Sequence, residues 1–161
     1  MRAAVIRIAA AIIVICRSRS RFIIRRRFSW VGVRSRACIS STRRAADALE
    51  GRRRTLGPSH PHTLGSMNNL AALLKAQGHL EEARPLYVDA LEGRRRTLGP
   101  SHPHTFTSML NLATLLADVN EREAAAALLR ECFAGRQRVL GRDHPHTIDC
   151  KKWMDHLGVA K

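Results

Sequence analysis

Paired histidines are the residues of this sequence whose type and spacing could most readily do chemistry. A proline separates the two members of each pair, which are His60/His62, His102/His104 and His144/His146. Imidazole nitrogen is a good ligand for zinc, copper or nickel. However, all three pairs stand at the predicted start of a helix and recur at a constant interval, which favours a role in the turn and in capping. We therefore expect no metal site.

Residue types used in hydrolysis also occur, but without a catalytic arrangement. Ser101 and His102 lie in one repeated turn and Asp143 lies in another, so they do not surround one pocket. The sequence has no nucleophile elbow, phosphate-binding loop or HExxH motif. Its four cysteines are far apart and form no CxxC motif, which favours free thiols over a disulfide framework. We expect no catalytic residue, no cofactor and no enzymatic activity.

An internal repeat places the histidine pairs. The segment Leu-Gly-Pro-Ser-His-Pro-His-Thr occupies residues 56–63 and 98–105, and a third version, Leu-Gly-Arg-Asp-His-Pro-His-Thr, occupies residues 140–147. The starts are 42 residues apart both times, and residues 48–63 match residues 90–105 at every position. A fixed period of this size is the signature of a repeat architecture.

Each unit contains the pattern of two helices. In the first unit, apolar residues recur three and four positions apart after the histidine pair, which predicts a first helix that ends at Gly78. These residues are Leu64, Met67, Leu70, Ala71 and Leu74. Ser59, or Asp143 in the third copy, can cap this helix.

The second helix is expected to begin near Leu80. Its apolar face consists of Ala83, Leu86, Tyr87, Ala90 and Leu91. In the second unit Asn120 replaces Gly78, and Asn is the next-best residue for that turn.

The predicted fold is all-α: a short α-solenoid of antiparallel helix hairpins. We divide it into a half unit at residues 42–55, full units at 56–97 and 98–139, and a terminal helix within residues 140–161. Neither helix of a unit can bury its apolar stripe alone, so neighbouring hairpins must supply the core.

Residues 1–41 are interpreted as a separate basic arm. Residues 1–46 contain twelve arginines and no acidic residue, whereas the rest of the chain has a net charge of only +3. The apolar run at residues 8–16 is shorter than the roughly 20 residues needed to cross a bilayer, so we expect no stable membrane span. The arm could be a disordered basic tail, sequence that is not a functional element at all, an organelle transit peptide, or a secretory signal or membrane anchor. We expect a cytoplasmic protein, or a mitochondrial or plastid one if the arm directs import.

The repeat unit resembles the tetratricopeptide repeat, in the 42-residue form found in kinesin light chains and related proteins. The resemblance rests on His-Pro-His-Thr and on the run Ser-Met-Asn-Asn-Leu-Ala-Ala-Leu-Leu at residues 66–74. Small residues fall at the usual spacing, at Ala71, Gly78, Ala83 and Ala90. The resemblance implies a non-catalytic module or scaffold that binds a peptide or a partner protein. Gly93 departs from the pattern, because it interrupts the second helix where the family usually has an aliphatic residue.

The same resemblance implies a peptide-binding groove on the concave face, which the first helices line. The residues expected to face it are Asn68, Ala72 and Lys75 in one unit and Leu110, Thr114 and Asp118 in the next. The amide of Asn68 could hold a peptide backbone, and Lys75 could hold an acidic side chain. Self-association through the ends of the array is a further possibility.

Two arginine triplets recur at the repeat spacing and should line one edge. They are Arg52, Arg53 and Arg54, and Arg94, Arg95 and Arg96. One interpretation is a solvated helix end, where positive charge suits the helix dipole. The other is a basic stripe for an acidic partner or RNA. With the arm, this stripe supports an alternative function, that of a basic nucleic-acid-associated protein.

Overall fold

The computed structural model describes residues 36–159 of the chain, with side chains from residue 40 onward. Six helices occupy this part: α1 Arg36–Leu56, α2 Pro61–Ala76, α3 Leu80–Thr97, α4 Pro103–Asp118, α5 Arg122–Leu140 and α6 Pro145–Leu157. No strand occurs within residues 36–159. The predicted arm lies outside the described residues except for its last six, which begin α1.

The helices form the predicted all-α solenoid of helix hairpins. Turns of three to five residues join consecutive helices. Consecutive helices from α2 to α6 pack against one another. The helices α2, α4 and α6 also touch one another in that order. The first helices of successive units therefore lie side by side. None of these six helices combines the length and the apolar character that a bilayer crossing requires.

The histidine pairs start the first helices by a side-chain cap. In the first unit, Nδ1 of His60 accepts a hydrogen bond from the backbone N–H of His62 at 3.2 Å. His102 and His144 make the same contact in their own units. A proline follows as the first helical residue, where its missing N–H leaves no partner unpaired. The capping role predicted for the histidine pairs is therefore confirmed, and the cap comes from histidine in place of Ser59 and Asp143.

The turn between the two helices of a unit is as predicted. Gly78 has a positive φ of 82°, and Asn120 takes the same left-handed region with a φ of 64°. Asparagine tolerates this region better than other residues with a side chain do. The substitution therefore preserves the turn in the second unit.

Gly93 does not interrupt the second helix, because α3 runs through it from Leu80 to Thr97. A Cβ atom built on Gly93 would overlap the side chain of Leu64 on α2. Gly135 has the same relation to the ring of Phe106 in the next unit. Glycine is therefore the residue that lets a large apolar side chain of the first helix press against the backbone of the second.

Two glycines in identical octapeptides give a direct test of this packing. Gly93→Ala should lower the free energy of unfolding by about 1 kcal/mol, because overpacking costs about 1–3 kcal/mol and exceeds the gain in helix propensity. Gly51→Ala in α1 should raise it by about 0.5–1 kcal/mol, since no described atom lies within 4 Å of a Cβ at Gly51. Urea denaturation of both variants measures the difference, and equal effects would contradict the packing role of Gly93.

Candidate functional site

Three of the predicted groove residues form one contact between adjacent units. Nζ of Lys75 on α2 donates a hydrogen bond to Oγ1 of Thr114 on α4 at 2.7 Å. The same nitrogen lies 3.2 Å from Oδ2 of Asp118. Both partners keep some exposure, with 20% of the Lys75 side chain and 46% of the Asp118 side chain accessible. The contact ties the two first helices together and leaves a cation and an anion at the surface.

Asn68 is placed differently from the expectation, since it is buried with 5% of its surface exposed. Its Nδ2 donates to the backbone oxygen of Leu64 at 3.2 Å and to Oγ of Ser108 at 3.1 Å. The amide of Asn111 approaches its Oδ1 at 3.5 Å. The amide of Asn68 is thus used between α2 and α4, where the close approach of two helices encloses it.

The other two predicted groove residues lie on the same pair of helices. Ala72 is exposed on α2, and Leu110 is half-buried on α4. Leu110 shares a shallow pocket with Trp153 and His156 of α6, whose rings meet edge to face at 5.8 Å. Neither α6 residue was predicted. Trp153 takes the repeat position of Asn69 and Asn111. The replacement of a polar residue by an aromatic one is therefore visible in the sequence once the units are aligned.

The arginine triplets do not form one exposed stripe, because their first members bind the protein itself. Arg94 is 8% exposed, and its Nη1 donates to the backbone oxygen of His104 and to Oγ of Ser108, both at 2.9 Å. Burial lowers the pKa of this guanidinium. Arg136, one period later, donates to the backbone oxygen of His146 at 2.6 Å. Arg52, one period earlier, contacts Oγ of Ser66.

The other triplet members differ in their surroundings. Both carboxylate oxygens of Glu131 on α5 accept hydrogen bonds from Nη2 of Arg95 at 2.9 Å. Arg54 pairs with Glu50 within α1, also at 2.9 Å. Arg53 is half-buried and Arg96 is exposed. Only part of the predicted positive charge therefore faces outward.

The most reactive side-chain types in this array are histidine and cysteine, and their surroundings alter them. The pKa of His104 lies below its ordinary value, first because of burial and then because of the charges of Arg94 and His102. Cys132 and Cys150 are both fully buried. The neighbouring Cys150 thiol, together with burial, raises the pKa of the Cys132 thiol. Within residues 40–159, no cluster of three or more His, Cys, Asp or Glu side chains could hold a metal ion.

Comparison with known protein families identifies the repeat unit. The model of the tetratricopeptide repeat matches three consecutive blocks, at residues 40–62, 63–104 and 105–146. The chain belongs to the tetratricopeptide repeat family. The two complete blocks of the family model have the same 42-residue length as the predicted units, but begin at Thr63 and Thr105, inside the first helices.

Two solved structures share the fold of this tetratricopeptide repeat chain. One contains the nearly identical TPR-like repeats of a protein assigned as a kinesin light chain from Podosopora anserina, with a TM-score of 0.71 and 22% identity over 74% of this chain. The other is BtubC (BKLC) from P. vanneervenii, with a TM-score of 0.67 and 20% identity over 75% of this chain. The chain covers 57% and 48% of their respective lengths. No curated protein matches the sequence significantly.

The buried arginine of the second triplet can be tested against its exposed neighbour. Arg94→Ala should lower the free energy of unfolding by about 1–3 kcal/mol, because it leaves the His104 oxygen and the Ser108 hydroxyl without their charged donor. Arg96→Ala, two residues away on the surface, should change it by less than about 0.5 kcal/mol. Denaturant unfolding of the two variants checks this, and comparable losses would show that the triplet acts as a unit.

Proposed function

We propose that this chain is a non-catalytic interaction module that binds a peptide segment of a partner protein across α2 and α4. Membership in the tetratricopeptide repeat family supports a protein partner in general terms. The observation that supports this particular face is the link from Lys75 to Thr114 and Asp118, which fixes the two first helices at the surface. A fixed surface binds with a smaller loss of conformational entropy than a mobile one.

The chemistry of this face suits an extended polar peptide. Ala72 is small and exposed on α2, so a peptide backbone can approach the helix closely there. The Lys75 and Asp118 side chains keep 20% and 46% of their surface exposed. We expect them to pair with an acidic and a basic side chain of the ligand. Asn68 contributes indirectly, since its amide holds α2 against Ser108 of α4.

The alternative of nucleic-acid binding has no comparable support among residues 36–159. Arg94 and Arg136 are buried and hydrogen-bonded inside the array, and Arg95 faces the carboxylate of Glu131. Nucleic-acid binding depends on arginine and lysine side chains that reach the phosphates and displace the counterions condensed on them. The basic arm, on which this alternative also rests, lies outside the described residues.

A peptide selection can test the proposed face. Peptides enriched from a random library displayed on phage against the full chain should lose at least about tenfold in affinity on Ala72→Arg, because the larger side chain occupies the surface between α2 and α4. Asp89→Arg, at an exposed position of α3, is the matched control and should leave binding unchanged. Enriched peptides that bind both variants equally would contradict the proposed face, as would a selection that enriches none.

A further inference from the structure

Two buried thiols lie next to each other where α6 packs against α5. Cys132 and Cys150 are both 0% exposed, and both are free thiols. The thiol of Cys150 on α6 donates to the backbone oxygen of Leu129 at 3.6 Å, and Leu129 lies one turn before Cys132 on α5. Because helical side chains lean toward the preceding turn, the Cys132 side chain lies over that same turn. The two sulfur atoms are therefore neighbours.

The repeat shows that this pair is particular to one contact. Cys132 takes the position of Ala90 in the preceding unit, and Cys150 takes the position of Ser108. Ala90 and Ser108 are also 0% exposed, at the contact of α3 with α4. A single buried cysteine in place of a small residue is ordinary packing. Here both members of one contact are cysteine, which gives the contact a chemistry that its equivalent lacks.

The size of these residues suits a covalent link. A disulfide requires Cα atoms about 4.4–6.8 Å apart, which is closer than most helix contacts bring them. In the preceding unit, the same contact is filled by only the side chains of Ala90 and Ser108, so the two helix backbones approach closely there. Since α5 and α6 repeat this packing, a bond between Cys132 and Cys150 needs little movement of either helix.

A positive charge beside the pair distinguishes its two members. Arg136 lies one turn after Cys132 on α5, is 3% exposed and donates to the backbone oxygen of His146. Its charge favours a thiolate nearby. The pKa of the Cys150 thiol lies below its ordinary value, first because of the neighbouring Cys132 thiol and then because of Arg136, while burial opposes the shift. Cys150 is therefore the thiol that reacts first.

We propose that Cys132 and Cys150 form a reversible disulfide that links α6 to α5 when the protein meets a hydroperoxide. The Cys150 thiolate attacks one oxygen of hydrogen peroxide, the O–O bond breaks, and the hydroxide that leaves takes up the proton lost by the thiol. The sulfur of Cys132 then attacks the sulfenic acid at Cys150, and its proton leaves with the hydroxyl group as water. In total, two thiols lose two electrons and the peroxide becomes two molecules of water. The link does not depend on the function proposed above.

Peptide mapping of the full chain tests the bond. The folded protein is treated with hydrogen peroxide in native buffer, its remaining thiols are alkylated, and it is digested with trypsin. Trypsin releases Cys132 within residues 131–136 and Cys150 within residues 143–151, so a disulfide between them joins two separate peptides. We expect the joined peptides after treatment, and we expect dithiothreitol to separate them again.

Two variants that restore the residues of the preceding unit are matched controls. Cys132→Ala and Cys150→Ser should keep the helices, as circular dichroism shows, and neither should form the joined peptides. Cys132→Ala should accumulate sulfenic acid at Cys150, which dimedone labels. Equal labelling of Cys132 in Cys150→Ser would contradict the assignment of Cys150 as the attacking thiol.

Amide hydrogen exchange measures the effect of the link on α6. Exchange in α6 should be at least about tenfold slower after peroxide treatment of the full chain, because a disulfide restricts the opened state, and it should be unchanged in treated Cys132→Ala. Unaltered exchange in the linked protein would overturn the inference. So would a treated chain without the joined peptides, a link that forms only in denaturant, or a link of either thiol to Cys16 or Cys38 instead.

Discussion

The structure depends on one contact that recurs with the 42-residue period. In this contact, each second helix packs between two first helices. On one side, Gly93 admits the side chain of Leu64 from the same unit. On the other, Arg94 reaches the backbone oxygen of His104 and Oγ of Ser108 at the start of the next unit. Because each helix is buried only by its neighbours, the contact must be repeated for the array to be stable.

Local features of this array could be predicted from the sequence. The period, the helix pairs and the role of Asn120 follow from residue types at fixed offsets, and the structure has each of them. What local patterns did not predict depends on the distance between helices. The sequence pattern marks Gly93 as an interruption because it does not give the position of Leu64. It predicts an exposed Asn68 because it does not place Ser108 beside that amide.

The identical octapeptides show why the rest could not be predicted. Residues 48–55 and 90–97 have the same sequence, yet Ala48 and Gly51 are exposed while Ala90 and Gly93 are buried. Their surroundings differ because the helices packed against them differ. The contacts of the candidate site also depend on packing between helices, so local sequence could not predict them. Residue type and repeat position predicted which helices carry Lys75, Thr114 and Asp118, but only the packing of α2 against α4 shows that their side chains meet.

Burial by neighbouring helices, repeated from unit to unit, is the interaction that stabilises this protein. Amide hydrogen exchange of the full chain, followed by mass spectrometry, tests it most directly. The account predicts the strongest protection in α3, α4 and α5, each of which packs between two other described helices, and weaker protection in α6. Protection in α6 equal to that in α4, or rapid exchange in α3, would contradict it.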